Sequence, residues 1–423
     1  MQAEKTTDFK SWHSYIPILL TLALFYLPYV YPVYLLFYLS LILFVNLAFR
    51  NLDKRFFYVV ILAFTFRAFI VLLDGYTAIF PFQPDSGYYN LNALKICQNI
   101  ATKSPLFSRV QGSLSLKSYA LFLSLIYSVF GEVTLTARLV NTFLGTLTGI
   151  FVYKICLEIF PTKRIAFFAG VLVLFMPSFI VFTSYLLRDS IVLFLTIVML
   201  YHFVLTHKRR HILKNSMIVI FCFLLISIFR IQNLYLYATL YILYFLFVLF
   251  RSSIKKSYKL PFLLFLALGL LYLYSRVGDQ LFLIITYPFR AQPLRVGGGS
   301  AYLQNIEYNS WWDLLKYLPI RFMYFTFGPF IWNARRVFLI LAAIEGMFIL
   351  LTAYLTLKYF WQNRRNDINN IHIFLLLFCL LGLFANSIVD SNFGTSVRHK
   401  INYVLIFFIF AGTYFQNKKV RLI

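Results

Sequence analysis

Acidic residues and cysteines are scarce in this chain of 423 residues, which contains 14 Asp and Glu and four Cys. So few and so scattered cysteines exclude a disulfide framework. Charged residues of both signs make up only 13% of the sequence, and hydrophobic residues make up 61%. This composition excludes a water-soluble fold, because such a fold could not bury so much apolar surface. The apolar runs are continuous and rich in Leu and Phe, without the alternation that a membrane β-barrel requires. The sequence therefore predicts an all-α, polytopic membrane protein.

Positive charge is abundant, because 39 Lys and Arg give a formal net charge of +25. In a soluble protein such a balance would indicate nucleic-acid binding. No basic helix stands apart from the apolar segments here, so we expect the cations to contact anionic headgroups and phosphates instead. The predicted partners are therefore membrane lipids and not nucleic acid.

Apolar segments along the chain predict about twelve spanning helices within a single integral-membrane domain over residues 1–423. Lys and Arg are concentrated in alternate short connections, which places both termini in the cytoplasm. The predicted spans lie near residues 15–30, 33–49, 56–73, 137–160, 165–184, 189–205, 217–229, 234–250, 260–275, 337–361, 371–389 and 401–415.

This orientation leaves two long segments on the outer face. The first, residues 74–136, carries an acidic motif, and the second, residues 276–336, carries a segment rich in Arg and Gly. Each contains an apolar stretch that is short or interrupted, at 118–130 and 314–332. We predict interfacial or re-entrant helices for both stretches.

The acidic motif centres on Asp85, which stands among aromatic residues just beyond a predicted span. Pro84 disfavours helix for the residue before it and Gly87 allows unusual backbone angles, so a shaped loop is expected to present the carboxylate. In a partly dry site this carboxylate can accept a proton from a hydroxyl, and Tyr88 can pack on a sugar or lipid. Asp85 is the predicted catalytic base. A helix start, with Asp or Ser as its cap, explains the same residues equally well.

Several short motifs share an order along the chain. They are Pro84-Asp85-Ser86 with Tyr88, the run 118–131 ending in Phe-Gly, Ala137-Arg138-Leu139-Val140-Asn141, and Met176-Pro177 followed by Leu187-Arg188-Asp189. Over roughly residues 60–205 this order resembles the GT-C superfamily of membrane glycosyltransferases. The most similar branch contains the protein O-mannosyltransferases and the aminoarabinose transferase that modifies lipid A.

The resemblance implies transfer of a sugar from a polyprenyl-phosphate donor to a glycan or lipid acceptor at the outer face, with Asp85 as the base. Many members of the family carry two adjacent acids where this chain has Asp85-Ser86. We therefore predict neither a metal site nor a cofactor.

Cations on the outer face are expected to stabilise the negative charge of a departing lipid phosphate, a task that suits Arg. Two clusters stand out: Arg290 and Arg295 before the triple glycine at 297–299, and Arg398, His399 and Lys400 after residues 392–395. Any single cation also fits a snorkelling helix-end residue, and capping or pairing explains Asp189 more simply than catalysis does. The predicted substrate-binding residues are Tyr88, Arg138, Arg188, Asp189, Arg290, Arg295, Arg398 and Lys400.

Two charged residues lie inside predicted spans, Arg67 and Glu345. An intramembrane charge normally has a partner or a function. The two side chains are expected either to pair with each other or to have separate partners.

The sequence thus predicts a glycosyltransferase of the bacterial inner, or cytoplasmic, membrane that acts in envelope or exopolysaccharide synthesis. A polymerase or ligase of lipid-linked oligosaccharides is the first alternative, and it would make residues 290–300 central and Asp85 incidental. A transporter or flippase for lipid-linked glycans is the alternative from another class. Sparse charge at the membrane midplane and the lack of visibly repeated halves disfavour it.

Overall fold

The protein is helical throughout the part that a computed structural model describes, residues 32–49, 52–80, 83–160, 162–251, 286–297, 299–364 and 368–415. These ranges contain α-helices, two short 3₁₀ helices and a single isolated β-bridge. The predicted all-α, polytopic architecture is confirmed. The helices are α1 Pro32–Phe49, α2 Lys54–Thr77, α3 Pro84–Ala101, α4 Leu114–Phe130, α5 Thr134–Ile159, α6 Lys163–Phe175, α7 Pro177–Ser184, α8 Asp189–His207, α9 Ile212–Phe229, α10 Ile231–Arg251, α11 Tyr287–Leu294, α12 Trp311–Phe327, α13 Val337–Gln362, α14 Asn370–Val389 and α15 Phe393–Ala411.

Seven of the described helices are long and apolar enough to cross a membrane, namely α2, α5, α8, α9, α10, α13 and α14. An eighth crossing results if α6 and α7, which meet at an angle of 52°, form one broken span. The predicted total of about twelve stays a prediction. Segments 15–30 and 260–275 lie outside the described residues, and α1 and α15, which cover the predicted spans 33–49 and 401–415 at least in part, are not among these candidates. The short apolar stretches of the two outer segments are helices of 17 residues each, α4 and α12.

The contacts between Cα atoms divide the chain into two compact units. The first unit contains the described parts of Met1–Phe151 together with Val173–Phe175 and Phe179–Phe194. The second unit contains Val152–Leu172, Met176–Ser178 and the described parts of Leu195–Ile423.

Arg67 is completely buried on α2, in the first unit, and contacts backbone carbonyls at the end of α6. Pro177 has no N–H and therefore cannot donate to the carbonyl of Val173, four residues earlier. The Arg67 guanidinium supplies the missing donors: Nη2 reaches the Val173 carbonyl at 2.9 Å, and Nε reaches the Leu174 carbonyl at 3.0 Å. Its Nη1 donates to Thr183 Oγ1 at 2.8 Å. The intramembrane arginine thus satisfies backbone groups that a broken helix leaves open.

Glu345 is buried on α13, in the second unit, and has partners of its own. The backbone N–H of Ser178 donates to Glu345 Oε2 at 2.9 Å, and the Ser178 hydroxyl donates to Oε1. Ser178 N–H would otherwise donate to the Leu174 carbonyl in a continuous helix. Arg67 and Glu345 therefore have separate partners, which is the second of the two alternatives open from the sequence.

Helices α14 and α15 of the second unit pack closely at Gly382. A Cβ atom placed on Gly382 would lie 2.1 Å from Cε1 of the Tyr403 ring. We expect Gly382→Ala to lower the free energy of unfolding by about 1–3 kcal/mol, because an extra methyl group in a packed interface forces its neighbours apart. Thermal unfolding of the purified protein measures the effect.

Gly87→Ala is the matched control, since a Cβ atom there has no neighbour within 4 Å and the residue is helical. This change should leave stability unchanged or raise it by up to about 1 kcal/mol. Equal unfolding temperatures for the two variants would contradict the close packing at Gly382.

Candidate active site

Asp85 lies in the first turn of α3 and is exposed to solvent. The prediction of a loop at this residue is wrong, because Pro84 occupies the first helical position, where its fixed φ suits the helix and its missing N–H costs no hydrogen bond. Gln83 takes the N-cap position, and Gly87 is helical without a positive φ. The helix-start interpretation therefore holds, although neither Asp85 nor Ser86 is the cap.

The helix that carries Asp85 is fixed firmly against α4. Tyr89 packs edge-to-face on Tyr119 with ring centroids 4.8 Å apart, and Tyr127 donates to Asn90 Oδ1 at 2.6 Å. Tyr88 is half-buried, and its hydroxyl lies so close to Gly112 that a Cβ there would be 2.9 Å away. The carboxylate and a tyrosine are thus presented from one rigid helical turn.

Asn141 links α4 and α5 to the start of α8. Its Nδ2 donates to the Tyr119 hydroxyl at 2.8 Å and to the Tyr185 carbonyl at 2.6 Å, with the Leu187 carbonyl at 3.2 Å. The side chain has no exposed surface. This contact fixes the chain immediately before Arg188, and the sequence signalled it only as part of the Ala-Arg-Leu-Val-Asn motif.

Arg138 is part of a buried ion pair. Its Nη2 lies 2.6 Å from Asp74 Oδ2, and its Nε donates to the Ser184 carbonyl at 2.8 Å. The second oxygen of Asp74 accepts the N–H of Phe80 at 2.6 Å. These contacts connect the ends of α2, α5 and α7, so the geometry favours a structural contribution from this predicted substrate-binding residue.

Arg188 and Asp189 follow directly at the start of α8. Arg188 is half-buried, whereas Asp189 has no exposed surface. Asp189 is thus buried at the first position of the helix, and its capping or pairing stays a prediction.

The second unit gathers its polar groups around Asp390, which directly follows α14 and is completely buried. One carboxylate oxygen accepts from Arg295 Nη1, and the other lies 2.5 Å from His399 Nδ1. Burial opposes ionisation, but the neighbouring His399 and Arg295 lower the pKa of Asp390 to about 2. Burial likewise opposes the charge of Arg295, yet Asp390 and Tyr287 raise its pKa. The predicted substrate-binding residues include neither Asp390 nor His399. The sequence offered two signals: a carboxylate at the end of an apolar helix, and the place of His399 in the basic cluster after residues 392–395.

The remaining predicted cations of this unit differ in exposure. Arg290 is exposed on α11, whereas Arg398 and Lys400 are buried. The sequence placed both buried residues at a helix mouth, but α15 begins earlier, at Phe393, because Asn392 caps it by accepting from the N–H of Gly394. The Lys400 ammonium donates to the Gly328 carbonyl at 2.6 Å, which favours a role in holding the 327–330 turn.

The glycine-rich segment lies along the start of α15. Asn392 Nδ2 donates to the Gly297 carbonyl at 2.8 Å, and the Ser300 hydroxyl donates to Asn392 Oδ1 at 2.9 Å. Ala301 and Asn392 form the isolated β-bridge. The segment after Arg295 is therefore attached to the same stretch of chain that carries Asp390.

Residues 118–275 match the family described as dolichyl-phosphate-mannose-protein mannosyltransferase. This is a glycosyltransferase family of the GT-C type. The resemblance predicted from the sequence is thus confirmed, and the match indicates a membrane glycosyltransferase. The matched segment includes Arg138, Arg188 and Asp189 but begins after Asp85. No curated protein and no solved structure matches the chain significantly.

Proposed function

We propose that this protein transfers a sugar from a polyprenyl-phosphate carrier to a glycan or lipid acceptor at the outer face of the bacterial cytoplasmic membrane. The product would enter an envelope or exopolysaccharide glycan. The observation that carries the proposal is the match of residues 118–275 to a mannosyltransferase family that is named for a lipid-phosphate sugar, dolichyl-phosphate-mannose. The seven apolar helices supply the membrane setting.

In the proposed reaction, the acceptor oxygen forms a bond to the anomeric carbon of the sugar while the bond between that carbon and the phosphate oxygen breaks. Asp85 takes the proton of the acceptor hydroxyl, and the lipid phosphate leaves with the electron pair of the broken bond. Exposure of Asp85 allows an acceptor to reach it, and the packing of α3 on α4 fixes its position.

Charge develops on the departing phosphate, so cations are required beside it. Of the predicted cations in the second unit, Arg290 is exposed and Arg295 is half-buried, so a lipid phosphate can reach them, whereas Lys400 is buried. Tyr88 provides an aromatic face within one helical turn of Asp85. Neither a metal nor a cofactor has a role in the proposal.

A transfer assay tests the function directly. Purified protein in lipid vesicles is supplied with a radiolabelled polyprenyl-phosphate sugar and an extract of envelope glycans, and product is followed by the loss of label from the lipid fraction. We expect label to pass to the acceptor and free polyprenyl phosphate to accumulate. Turnover only with lipid-diphosphate oligosaccharides, which yields longer chains, would replace the proposal with a polymerase.

A further inference from the structure

The carboxylate of Asp390 is buried, whereas the two side chains that contact it are partly exposed. The carboxylate itself has no exposed surface, whereas the side chain of Arg295 is 31% exposed and that of His399 is 14% exposed. Each carboxylate oxygen holds one of these two groups. The acid therefore lies behind two nitrogen-rich side chains that solvent or a ligand can reach.

The backbone beneath the carboxylate is held in place from two further directions. Tyr302 donates its hydroxyl to the Asp390 carbonyl at 2.8 Å, and Arg321 Nη2 donates to the same carbonyl at 2.9 Å. Arg321 also donates through Nε to the Ser387 carbonyl at 3.0 Å. Because these contacts hold Asp390 in place before a ligand arrives, binding beside it costs little conformational entropy.

Positive charge exceeds negative charge in this cluster. Arg295 and Arg321 contact Asp390, and Arg230 acts electrostatically on His399. Buried cations are costly unless an anion compensates them. Within the described ranges, Nη1 of the completely buried Arg321 has no hydrogen-bond partner. The cluster thus carries an excess of positive charge that an anion would compensate.

We propose that Asp390 is a positioning residue that holds Arg295 and His399 as a binding site for the phosphate group of a lipid. Only the identity of that lipid, the sugar donor or its released carrier, rests on the proposed function. A membrane headgroup offers the same phosphate chemistry. Arg295 pairs with phosphate oxygens through the donors that Asp390 leaves open. The carboxylate fixes the ring of His399 through Nδ1, so that Nε2 faces away from Asp390 and can donate to a phosphate oxygen when the ring is protonated. Burial lowers the pKa of His399 in the free protein, and a bound anion favours the protonated ring.

Binding is measured on the purified full-length protein through its unfolding temperature, which a ligand of the folded state raises. Three lipids are compared at equal concentration: a polyprenyl monophosphate, the matching polyprenol without phosphate, and phosphatidylglycerol. We expect the polyprenyl monophosphate to stabilise the wild type more than polyprenol does. Equal stabilisation by both would overturn the site. If phosphatidylglycerol matches the polyprenyl monophosphate, the site takes headgroup phosphate; a weaker effect of phosphatidylglycerol identifies the carrier lipid.

The variants Asp390→Asn, Arg295→Gln and His399→Gln should each weaken phosphate-dependent binding by about 10- to 100-fold, the range for losing a charge-assisted contact. Arg295→Gln and His399→Gln change partly exposed side chains, so they report on the site even if Asp390→Asn fails to fold. Glu307→Gln, an exposed acid of the same outer segment, is the control and should bind as the wild type does. Wild-type binding by folded Arg295→Gln and His399→Gln would contradict the inference.

In transfer assays the same variants should raise the KM for the lipid donor more than they lower kcat, which a general loss of structure would not produce. The two proposals fail separately. Loss of transfer in Asp85→Asn with normal donor binding in Arg295→Gln would overturn only the phosphate site. Retained transfer in Asp85→Asn with weakened binding in Arg295→Gln would overturn only the proposed base.

Discussion

Asp85→Asn is expected to lower kcat for sugar transfer by about 10²- to 10⁴-fold, the usual contribution of a general base. Asparagine keeps the size and shape of the side chain but cannot accept the proton of the acceptor hydroxyl. Because Asp85 is exposed in the first turn of α3, the substitution should leave the fold intact. Initial rates with a polyprenyl-phosphate sugar, together with the unfolding temperature, measure both expectations.

Glu132→Gln is the matched control for this experiment. Glu132 is an exposed acid of the same unit, just beyond the end of α4, and has no place in the proposed mechanism. Its replacement should leave kcat near the wild-type value. Transfer at the wild-type rate by Asp85→Asn would show that another group removes the proton, and equal losses in both variants would indicate a general effect of surface charge.

Arg138→Met is expected to reduce the free energy of unfolding by about 3–5 kcal/mol, because removing one partner of a buried ion pair leaves the other charge uncompensated. The pair with Asp74 is 2.6 Å long, with side chains that are 13% and 9% exposed. Methionine retains much of the volume, so the loss reports the charge and its hydrogen bonds. Denaturation of the purified protein in mixed micelles provides the measurement.

A second substitution separates the structural role of Arg138 from a role in binding substrate. The double variant Asp74→Asn with Arg138→Met contains no uncompensated charge and should recover part of the lost stability, which gives a coupling energy from the double-mutant cycle. Arg109→Met, at an exposed arginine of the same unit, should change stability little. If Arg138→Met unfolds like the wild type but binds the lipid donor more weakly, Arg138 contacts substrate as the sequence predicted.

Local features of the sequence predicted the class of fold and several helix ends. Continuous apolar runs can be buried only in a bilayer or against other such helices, so composition and period sufficed for the polytopic, all-α prediction. The break at Pro177 also follows from chemistry within a single residue, since proline has no N–H. The motifs around Arg138 and Arg188 likewise carried the resemblance that the family match confirmed.

Helix boundaries near functional residues were harder to predict. The last span was predicted to begin at residue 401. Helix α15 begins eight residues earlier, at Phe393, where Asn392 caps it, and therefore includes Arg398 and Lys400. Charged residues look like the end of a span when only hydropathy is considered. A side-chain cap can extend the helix through them, provided that other parts of the protein surround the charges.

Composition, apolar runs and motif order were enough to predict a helical membrane protein that resembles the GT-C glycosyltransferases. Which charges meet depends on the packing of the chain: Arg67 contacts the carbonyls beside Pro177, Arg138 pairs with Asp74, and Asp390 contacts Arg295 and His399. Composition, periodicity and capping act over a few residues and can be seen in the sequence. Arg295 and Asp390 are 95 positions apart, and their contact depends on how whole helices pack, which no local pattern records.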